Sequence, residues 1–532
     1  MVLNLLLVAT IIIVCVLGNK ISNRIGMPVL LVFILLGMFF GSDGIVKIKF
    51  DNYYFAEQVC SIALLFIMFY GGFGTKWDEA KPIAVKAILL SSMGTIFTAI
   101  FVGIFCFYVM GITLLESFLI GAVVSSTDAA SVFSILRSKR LNLRDHTASL
   151  LEIESGSNDP FAYMLTIIVL SFMNGHNSPQ EFVFLIFKQL IFGGVFGIGI
   201  AAITLLYFKK FKLSSSGFYS IFIMAIAIIS YAAPTFFDGN GYLSAYITGI
   251  ILGNSKIEDK SELVHFFDGL TGLMQILLFF LLGLLAFPSQ LPKVAFPALA
   301  ISLFLTFVAR PVAVYAILTP FKSSKGQKRL VSWAGLRGAA SIVFAIMATI
   351  RVNEMNIDIF HIVFFIVLFS ILIQGTLIPF VSKKLNMTDN DIDVMSTFND
   401  YMDELPVQFL QLAIPSDHIW VHQKVKDILL PPDSFLLLIV REKENVMPNG
   451  DTEILADDIF ILSGKSPNRI EGLTLYEMKV KKETRWYGKT IADAISGDER
   501  VVVIRRGESI VIPKGDTILQ EDDILVFSEI YK

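Results

Sequence analysis

The chain has 532 residues, of which 55% are hydrophobic and only 17% are charged. Soluble globular proteins carry about 25% charged residues, so this composition excludes an ordinary soluble protein and predicts a polytopic membrane protein. The formal net charge of −3 identifies no partner, because it averages an apolar part with an acidic polar part. The three cysteines lie in apolar runs without metal-type spacing, which indicates core residues rather than a disulfide framework.

Apolar windows recur along the first 385 residues. About 20 apolar residues suffice to cross a bilayer as a helix. The predicted spans are 2–18, 27–45, 55–73, 83–110, 114–136, 147–173, 182–208, 217–236, 240–254, 262–287, 294–319, 329–350 and 359–382. The sequence therefore predicts an α-helical membrane protein with about 13 transmembrane helices.

Basic residues follow alternate connections between these spans. They cluster at 20–24, 76–86, 137–144, 209–212, 256–260, 322–329 and 383–384, whereas the intervening loops hold only Lys47, Lys49, Lys293 and Arg351. Cytoplasmic loops are enriched in lysine and arginine. This asymmetry predicts an N-terminus outside and a C-terminus in the cytoplasm.

The sixth span contains three acids within eight residues, Glu152, Glu154 and Asp159. Ionisable groups at bilayer depth are costly, and by default they mark ion or proton pathways. Asn158, Asp159 and Pro160 place an amide, a charge and a helix disruption at one point, which favours Asp159 as the functional group. For Glu152, Glu154 and also Asp128, buried ion-pair structure is the alternative interpretation.

Two spans are interrupted by polar or glycine-rich stretches, Ser125–Ser131 in the fifth and Gly335–Ser341 in the twelfth. They are seven spans apart, and an odd offset gives opposite orientations. This is typical of inverted-repeat transporters, in which two broken helices cross near the membrane midplane. Arg337 lies in the second break, where it either neutralises helix carbonyl ends or serves as a structural counter-ion.

The segment Glu154-Ser-Gly-Ser-Asn-Asp159 resembles the Asn-Asp motif of the monovalent cation/proton antiporter superfamily, in its sodium/proton-exchanger branch. Thr127-Asp128 resembles the unwound crossing of that family, and the resemblance covers residues 1–385. It implies that Asp159 binds a monovalent cation or a proton. It also implies a structural ion pair between Glu154 and Arg310, in the eleventh span.

The implied mechanism is competition at one carboxylate. A carboxylate removed from water favours the protonated form, while a bound cation favours the ionised form, so the site holds one or the other. Oxygens of Ser155, of the Thr127 backbone and of Asp128 would complete the cation site, with Asn158 orienting them. A permanent Glu154–Arg310 pair would leave one exchangeable charge, which predicts electroneutral exchange by alternating access.

One position departs from the family pattern. The third span reads Phe69-Tyr-Gly-Gly-Phe73, where many relatives carry an acid in place of Tyr70. If that acid braces the Asn-Asp pair, Tyr70 does so through its hydroxyl or not at all. The departure weakens any transfer of sodium preference to this chain.

Hydropathy falls after Leu385, and residues 386–404 form a polar, acidic linker. Beyond it the chain repeats itself at an offset of 65, since Arg441…Pro448-Asn-Gly-Asp-Thr452 returns as Arg506…Pro513-Lys-Gly-Asp-Thr517. Each repeat has a short stretch that favours a helix, followed by a strand, a turn and a second strand. The predicted α+β domains are 405–466 and 470–532, and a folded spacer is the alternative interpretation.

The pattern of these units resembles the TrkA-C module of potassium-conductance regulators, in tandem. The resemblance implies regulation by a small ligand, with cyclic di-AMP as a candidate and Arg441, Arg505 and Arg506 as phosphate-binding residues. No Gly-x-Gly-x-x-Gly motif occurs after Leu385, so binding of NAD or ATP is not supported. No cofactor and no nucleic-acid partner are expected.

The sequence therefore predicts a homodimeric cation/proton antiporter of the bacterial plasma membrane, with K⁺ preferred over Na⁺ because a potassium-linked module is attached. A Na⁺/H⁺ antiporter is the first alternative. A ligand-gated cation channel is the second, although no short filter-type segment is present. A membrane enzyme is not favoured, because no nucleophile–base pair or metal cluster accompanies the acids.

Overall fold

The computed structural model forms two compact units, Met1–Asp403 and Glu404–Lys532. The residues that it describes are 2–25, 28–75, 77–128, 131–132, 135–136, 141–175, 178–211, 216–257, 260–352, 355–389, 407–416, 418–431, 434–441, 444–465, 473–480, 482, 486–494, 500–506, 509–511 and 513–530. The predicted linker lies outside these residues from position 390 onward, and so do Ala129 and Ala130 of the first predicted break.

The first unit is helical, and each predicted span contains a helix. The main helices are α1 (Val2–Ile25), α2 (Val29–Phe40), α3 (Tyr53–Gly74), α4 (Ala84–Tyr108), α5 (Leu114–Val123), α6 (Thr147–Met173), α7 (Pro179–Lys210), α8 (Ser216–Phe236), α9 (Gly241–Gly253), α10 (Lys260–Leu285), α11 (Leu291–Leu318), α12 (Lys325–Trp333), α13 (Ala339–Arg351) and α14 (Ile359–Lys384). A one-turn helix, Trp77–Ala80, precedes α4.

Helices are expected here because a backbone in hydrocarbon must satisfy its own hydrogen bonds. Within the described residues, seven helices are long and apolar enough to cross a membrane, and further apolar helices are shorter. The prediction of a polytopic helical membrane protein is confirmed. The count of 13 spans stays a prediction.

Side-chain caps mark where several helices begin. The side chains of Asn52, Ser178, Asn240, Ser324 and Asp358 each accept the backbone N–H three residues later, at 3.0–3.1 Å. These are the residue types that satisfy the orphan N–H groups of a first helical turn. They therefore fix the helix starts that the apolar windows leave undefined.

The two predicted breaks are present and they meet. Helix α5 ends at Val123 and the chain is irregular as far as Asp128, while residues 334–338 separate α12 from α13. The backbone N–H of Asp128 donates to the carbonyl of Leu336 at 2.8 Å. A Cβ atom at Gly338 would lie 2.4 Å from the Asp128 Cβ atom, so this crossing requires a glycine.

Two further irregularities occupy corresponding helices of the two halves. A π-helical turn interrupts α4 at Leu90–Gly94, and another interrupts α11 at Leu305–Ala309. Such turns are rare, and they concentrate at functional sites. Helices four and eleven, which the inverted-repeat prediction pairs, therefore share a local distortion next to the crossing.

Other helices pack closely through small residues. Helix α3 lies against α9, where a Cβ atom at Gly72 would lie 2.3 Å from the Tyr246 carbonyl oxygen. In return, a Cβ atom at Gly249 would lie 2.2 Å from the carbonyl oxygen of Phe69. Small residues allow helix backbones to approach in this way inside membranes.

A short two-stranded sheet joins the loop before α6 to the chain after α14. Strand β1 (Asn142–Leu143) pairs antiparallel with β2 (Thr388–Asp389), and the N–H of Arg144 donates to the Met387 carbonyl at 2.9 Å. The beginning of the chain that leads to the second unit is thus held against the start of the helix that carries Asp159.

The second unit contains two four-stranded antiparallel sheets of the same topology. The strands are β3 (Val407–Ala413), β4 (Ser434–Arg441), β5 (Glu444–Val446), β6 (Ile459–Lys465), β7 (Leu473–Lys479), β8 (Arg500–Arg506), β9 (Ser509–Val511) and β10 (Ile524–Ile530). Their orders are β3-β6-β4-β5 and β7-β10-β8-β9.

Each sheet contains two strands that the repeat analysis missed, the outer strand β3 or β7 and the short strand β5 or β9. The helix predicted in the first tail repeat is a single 3₁₀ turn, Val425–Asp427. The helix predicted in the second tail repeat is the one-turn helix Ile491–Ala494. Small apolar cores lie beneath each sheet, around Phe460 in the first and Leu525 in the second.

Candidate functional site

The centre of the first unit is the point where α6 passes the two breaks. Asp159 is 5% exposed there, in the middle of α6. It precedes Pro160, which lacks an N–H and so cannot continue the helical hydrogen-bond ladder. The Asn240 side chain, at the start of α9, donates to the Pro160 carbonyl at 2.8 Å.

The direct partner of the Asp159 carboxylate is a hydroxyl group. The Ser126 side chain, in the first break, donates to Oδ1 of Asp159. Ser126 is itself 2% exposed. The sequence analysis did not single out Ser126, although it lies in the predicted break next to Thr127.

The predicted residues Asn158, Thr127 and Ser155 form one hydrogen-bond network beside Asp159. The Asn158 amide donates to the Thr127 hydroxyl and accepts the Thr127 N–H at 3.3 Å. The Ser155 hydroxyl donates to the Thr127 carbonyl at 2.6 Å. Asn158 therefore holds the first break against α6, and the Thr127 carbonyl that was predicted as a cation ligand is engaged by Ser155.

Asp128 lies at the edge of this network and is half-buried. Its carboxylate accepts the Ser131 hydroxyl at 2.5 Å and the Ser131 N–H at 3.4 Å. These contacts cap the chain that follows the break. The structure thus brings Asp128 to the crossing in a capping position, and its predicted part in a cation site stays a prediction.

Glu154 and Arg310 form a two-pronged ion pair between α6 and α11. Nη1 and Nη2 of Arg310 donate to Oε1 and Oε2 of Glu154 at 2.8 and 2.7 Å. The side chains are 3% and 1% exposed, so the charges are removed from water together. A Cβ atom at position 335 would lie 2.7 Å from Nε of Arg310, which explains the glycine there.

Arg337 lies in the second break and is 1% exposed. Its Nη1 donates to the carbonyls of Ser125 and Ser126 at 2.8 and 2.7 Å, in the break that directly follows α5. A cation there offsets the partial negative charge of a helix C-terminus. Its backbone N–H donates to the hydroxyl of Ser370 at 3.0 Å.

Tyr70, the departure from the family pattern, lies on α3. Its hydroxyl donates to the Val264 carbonyl at 3.4 Å, and its ring stacks on Phe267 with centroids 6.2 Å apart. These contacts join α3 to α10, which accounts for an aromatic residue at this position.

The tail arginines Arg441 and Arg506 occupy equivalent positions in the two sheets. Arg441 donates from Nε and Nη2 to Asp458, with both distances 2.8 Å, and Arg506 makes the same pair of contacts with Asp523. Both aspartate side chains are fully buried. Arg505 is exposed and lies beside the second pair.

The electrostatics of the two tail pairs are alike. Burial favours the neutral acid, but hydrogen bonds from Arg441 and from the backbone of Leu455 hold the pKa of Asp458 below its usual 3.8. Burial is likewise outweighed at Asp523, where hydrogen bonds from Arg506 and the Gln520 backbone lower the pKa. These contacts give Arg441 and Arg506 a structural role, and their predicted ligand role stays a prediction.

Comparison with known protein families matches both parts of the chain. The profile described as "Sodium/hydrogen exchanger, transmembrane" matches residues 8–384. The TrkA-C domain profile matches residues 409–471 and again residues 475–528. Both resemblances drawn from the motifs are confirmed, including the duplication of the tail module.

Curated relatives match along most of the chain. The K(+)/H(+) antiporter NhaP of Alkalimonas amylolytica is 33% identical over 86% of this chain and 81% of its own length. The K(+)/H(+) antiporter NhaP2 of Shewanella baltica is 31% identical, over 89% of this chain and 83% of its own. These relatives are transporters rather than enzymes.

Among solved structures, the sodium proton antiporter MjNhaP1 from Methanocaldococcus jannaschii matches with a TM-score of 0.63 at 21% identity. The match covers 72% of this chain and 99% of that chain. At this identity it establishes a shared fold for the helical unit.

Proposed function

We propose, from the premise that this chain belongs to the sodium/hydrogen exchanger family, that it is an electroneutral antiporter exchanging one K⁺ for one H⁺. The observation that carries the proposal is the contrast between two buried acids. Glu154 is held by Arg310, while Asp159 has a hydroxyl partner at the crossing of two broken helices. A single exchangeable carboxylate at that point suits exchange of one cation against one proton.

The site consists of Asp159 as the group that binds either the cation or the proton, with Ser126 as its neighbour. The oxygens of Thr127, Ser155 and Asp128 surround it as further candidate ligands. Asn158 holds the first break in place through its two contacts with Thr127. Arg337 offsets the helix end at the same crossing.

The preference for K⁺ rests on the relatives that share the tail as well as the membrane unit. The two K(+)/H(+) antiporters reported above match 86% and 89% of the chain. The Na(+)/H(+) antiporter ApNhaP of Aphanothece halophytica is 25% identical over 69% of the chain. Exchange of Na⁺ is therefore the second candidate.

Transport follows alternating access, in which the bundle that carries α5, α6, α11 and α12–α13 moves against a scaffold of other helices. The distribution of basic loops places the N-terminus outside and the C-terminus in the cytoplasm of a bacterial cell, with the protein in the plasma membrane. A homodimer is the proposed assembly.

The tail is proposed to regulate transport by binding a small nucleotide such as cyclic di-AMP. The tandem TrkA-C match supports a regulatory unit. Arg505 is more exposed than Arg441 and Arg506, so it is the first residue to test. Titration of the full chain with cyclic di-AMP should show saturable binding that Arg505→Ala weakens, and absence of binding to the wild-type chain would contradict this assignment.

Proton efflux from acid-loaded proteoliposomes tests the transport proposal. We expect addition of K⁺ to the wild type to drive efflux, with Na⁺ and Li⁺ less effective, and Asp159→Asn to abolish it. Asp238→Asn is the matched control, because Asp238 forms an exposed pair with Lys188 and such pairs contribute little. It should transport normally.

Two outcomes would contradict the proposal. Unchanged exchange in Asp159→Asn would remove Asp159 from the site. Cation flux that needs no proton gradient and moves no protons would favour a ligand-gated channel instead.

A further inference from the structure

The two broken helices begin with the same sequence pattern and backbone conformation, although the Ser324 side chain caps its helix and the Thr113 side chain makes no cap hydrogen bond. Thr113 precedes α5 and Ser324 precedes α12, with backbone angles of φ −58°, ψ 153° and φ −62°, ψ 154°. Three residues later stand Glu116 and Gln327, which are 211 positions apart. This Thr/Ser-x-x-Glu/Gln pattern is a capping box, whose acidic or amide side chain ordinarily turns back to its own helix start.

Glu116 instead reaches a different part of the chain. Its Oε1 accepts the backbone N–H of Asn356 at 2.6 Å, and its Oε2 accepts the Thr113 hydroxyl at 2.5 Å. The carboxylate is 3% exposed. Asn356 precedes α14, so this Glu116 clamp (Thr113, Glu116 and Asn356) fixes the start of α5 to the start of α14.

Gln327 makes the corresponding contact with the chain before α6. Its Nε2 donates to the Asp145 carbonyl at 2.8 Å and lies 3.3 Å from the Thr147 hydroxyl. The hydroxyl of Ser324 donates to the Asp145 carboxylate at 2.8 Å. This Gln327 clamp (Ser324, Gln327, Asp145 and Thr147) fixes the start of α12 to the start of α6.

Equivalent residues of the two clamps are separated by the same number of positions in the sequence. Asp145 and Asn356 are 211 positions apart, as are Glu116 and Gln327. The clamps lie at the two ends of the broken segment 325–351, one before α12 and one beyond α13. They are therefore related contacts at opposite ends of the two repeats.

The contacts at the crossing follow this register too. Ser126 donates to Asp159, and the Arg337 N–H donates to Ser370. Arg337 and Ser370 each stand 211 positions after their counterparts, Ser126 and Asp159. Two clamps and two crossing contacts thus join α5, α6, the α12–α13 segment and α14 in a closed ring.

The side chain in each clamp matches the backbone group that it meets. Asn356 offers an N–H, and Glu116 presents an acceptor to it. Asp145 offers a carbonyl, and Gln327 presents a donor. An ionised carboxylate can only accept hydrogen bonds, whereas an amide carries both donors and an acceptor. Glu therefore stands opposite the backbone N–H, and Gln stands opposite the backbone carbonyl.

We infer that Glu116 and Gln327 are positioning residues that keep the ring closed through the whole transport cycle, so that the crossing moves with Asp159 as one rigid body. This inference rests on the proposed antiport function. The helical halves α5 and α12 have only 10 and 9 residues, and each ends at an irregular stretch. Functional groups must be held in position to within about 0.5 Å by the residues around them. The clamps fix the starts of α5 and α12, which are the ends of these helices that lie away from the crossing.

Reversible cross-linking tests the inference. In a background with Cys15, Cys60 and Cys106 replaced by alanine, Glu116→Cys and Asn356→Cys are combined and bridged with a short bis-methanethiosulfonate reagent. Before bridging, K⁺/H⁺ exchange should fall by about tenfold or more, because a charged hydrogen bond in a buried site is lost. Bridging should restore at least half of the lost exchange. Each single cysteine variant, treated identically, is the control.

The result that would overturn the inference is loss of the remaining exchange on bridging, since this would show that the clamp must open during transport. Exchange at wild-type rates before bridging would also overturn it. If the wild-type chain itself showed no exchange, the proposed function would fail and not the clamps. The two failures are thus distinguishable.

Exchanging the amide and the acid gives a second test that needs no reagent. Gln327→Glu removes the donor and sets a carboxylate against the Asp145 carbonyl, so we expect exchange to fall by about tenfold or more. Glu116→Gln keeps an acceptor for the Asn356 N–H and should lose less than about threefold. Similar rates for both variants, at equal amounts of folded protein, would contradict the polarity match. A raised KM with unchanged maximal rate in Gln327→Glu would also contradict a role in moving the crossing.

Discussion

Helix α6 carries two buried carboxylates five residues apart, and their surroundings differ. Glu154 is 1% exposed and lies in the two-pronged grip of Arg310, whereas Asp159 is 5% exposed and accepts a hydroxyl from Ser126. Across the described part of the chain, no salt bridge to Asp159 is present. Under the proposed function, the partner, rather than the burial, separates the fixed charge from the exchangeable one.

The chemistry of the two partners explains the difference. A guanidinium is always charged, so it pairs permanently with the Glu154 side chain as a salt bridge. A serine hydroxyl donates to a carboxylate and accepts from a carboxylic acid, so Ser126 remains a partner in both states of Asp159. A hydroxyl therefore permits a switch that an arginine would prevent.

The largest expected effect comes from breaking the fixed pair. Arg310→Gln leaves the Glu154 carboxylate buried without its cation, which should destabilise the fold by about 3–5 kcal/mol. We expect a marked fall in thermal stability in detergent and loss of exchange.

The double variant Glu154→Gln/Arg310→Gln is the control for this effect, because it removes both charges. It should recover much of the stability that the single variant loses. Equal destabilisation of the single and double variants would show that packing, and not the orphan charge, determines the loss.

A smaller effect is expected at the exchangeable acid. Ser126→Ala removes the hydroxyl donor of the Asp159 carboxylate, and a hydrogen bond to a charged group contributes about 1.5–3 kcal/mol, so the KM for K⁺ should rise about tenfold or more. Ser126→Thr retains the hydroxyl and should restore the wild-type value. Ser157→Ala, whose hydroxyl donates to the Ile153 carbonyl of its own helix, is the matched control.

The smallest effect at neutral pH is expected in the tail, where the pairs Arg441–Asp458 and Arg506–Asp523 are also fixed. Their aspartate pKa values are lowered, so the stabilisation is complete above the usual value of 3.8 and is lost as the pH falls through the lower native value. Hydrogen exchange of strands β4 and β6 in the full chain should accelerate as the pH falls below about 4, after correction for intrinsic rates. Arg441→Gln should flatten this dependence, and an unchanged pH profile in that variant would contradict the account.

The apolar windows predicted where helices lie, because membrane helices need long apolar runs. The two breaks were predictable from serines, threonines and glycines inside such runs. The contact between Glu154 and Arg310 was implied by the resemblance to the antiporter family, and it agrees with the rule that buried charges require partners. The helices and the breaks depend on local composition, which a single sequence displays.

The contacts that depend on how distant segments meet were not predicted. Ser126 was one of several hydroxyl residues in its break, and only the fold selects it as the neighbour of Asp159. The strand pair β1–β2 involves two residues on each side, too few to leave a pattern. The clamps did leave one, since Thr113-x-x-Glu116 and Ser324-x-x-Gln327 are capping boxes in a common register.

The measurement that tests the central claim most directly is the charge moved per exchange. Wild-type proteoliposomes on a solid-supported membrane receive a K⁺ jump, while a pH dye in matched vesicles records proton efflux. If Glu154 stays paired and only Asp159 exchanges, sustained proton efflux will be accompanied by no sustained current. A current that grows in proportion to the efflux would show that a second charge moves, and would contradict the assignment of Glu154 as the fixed acid and Asp159 as the single exchanging one.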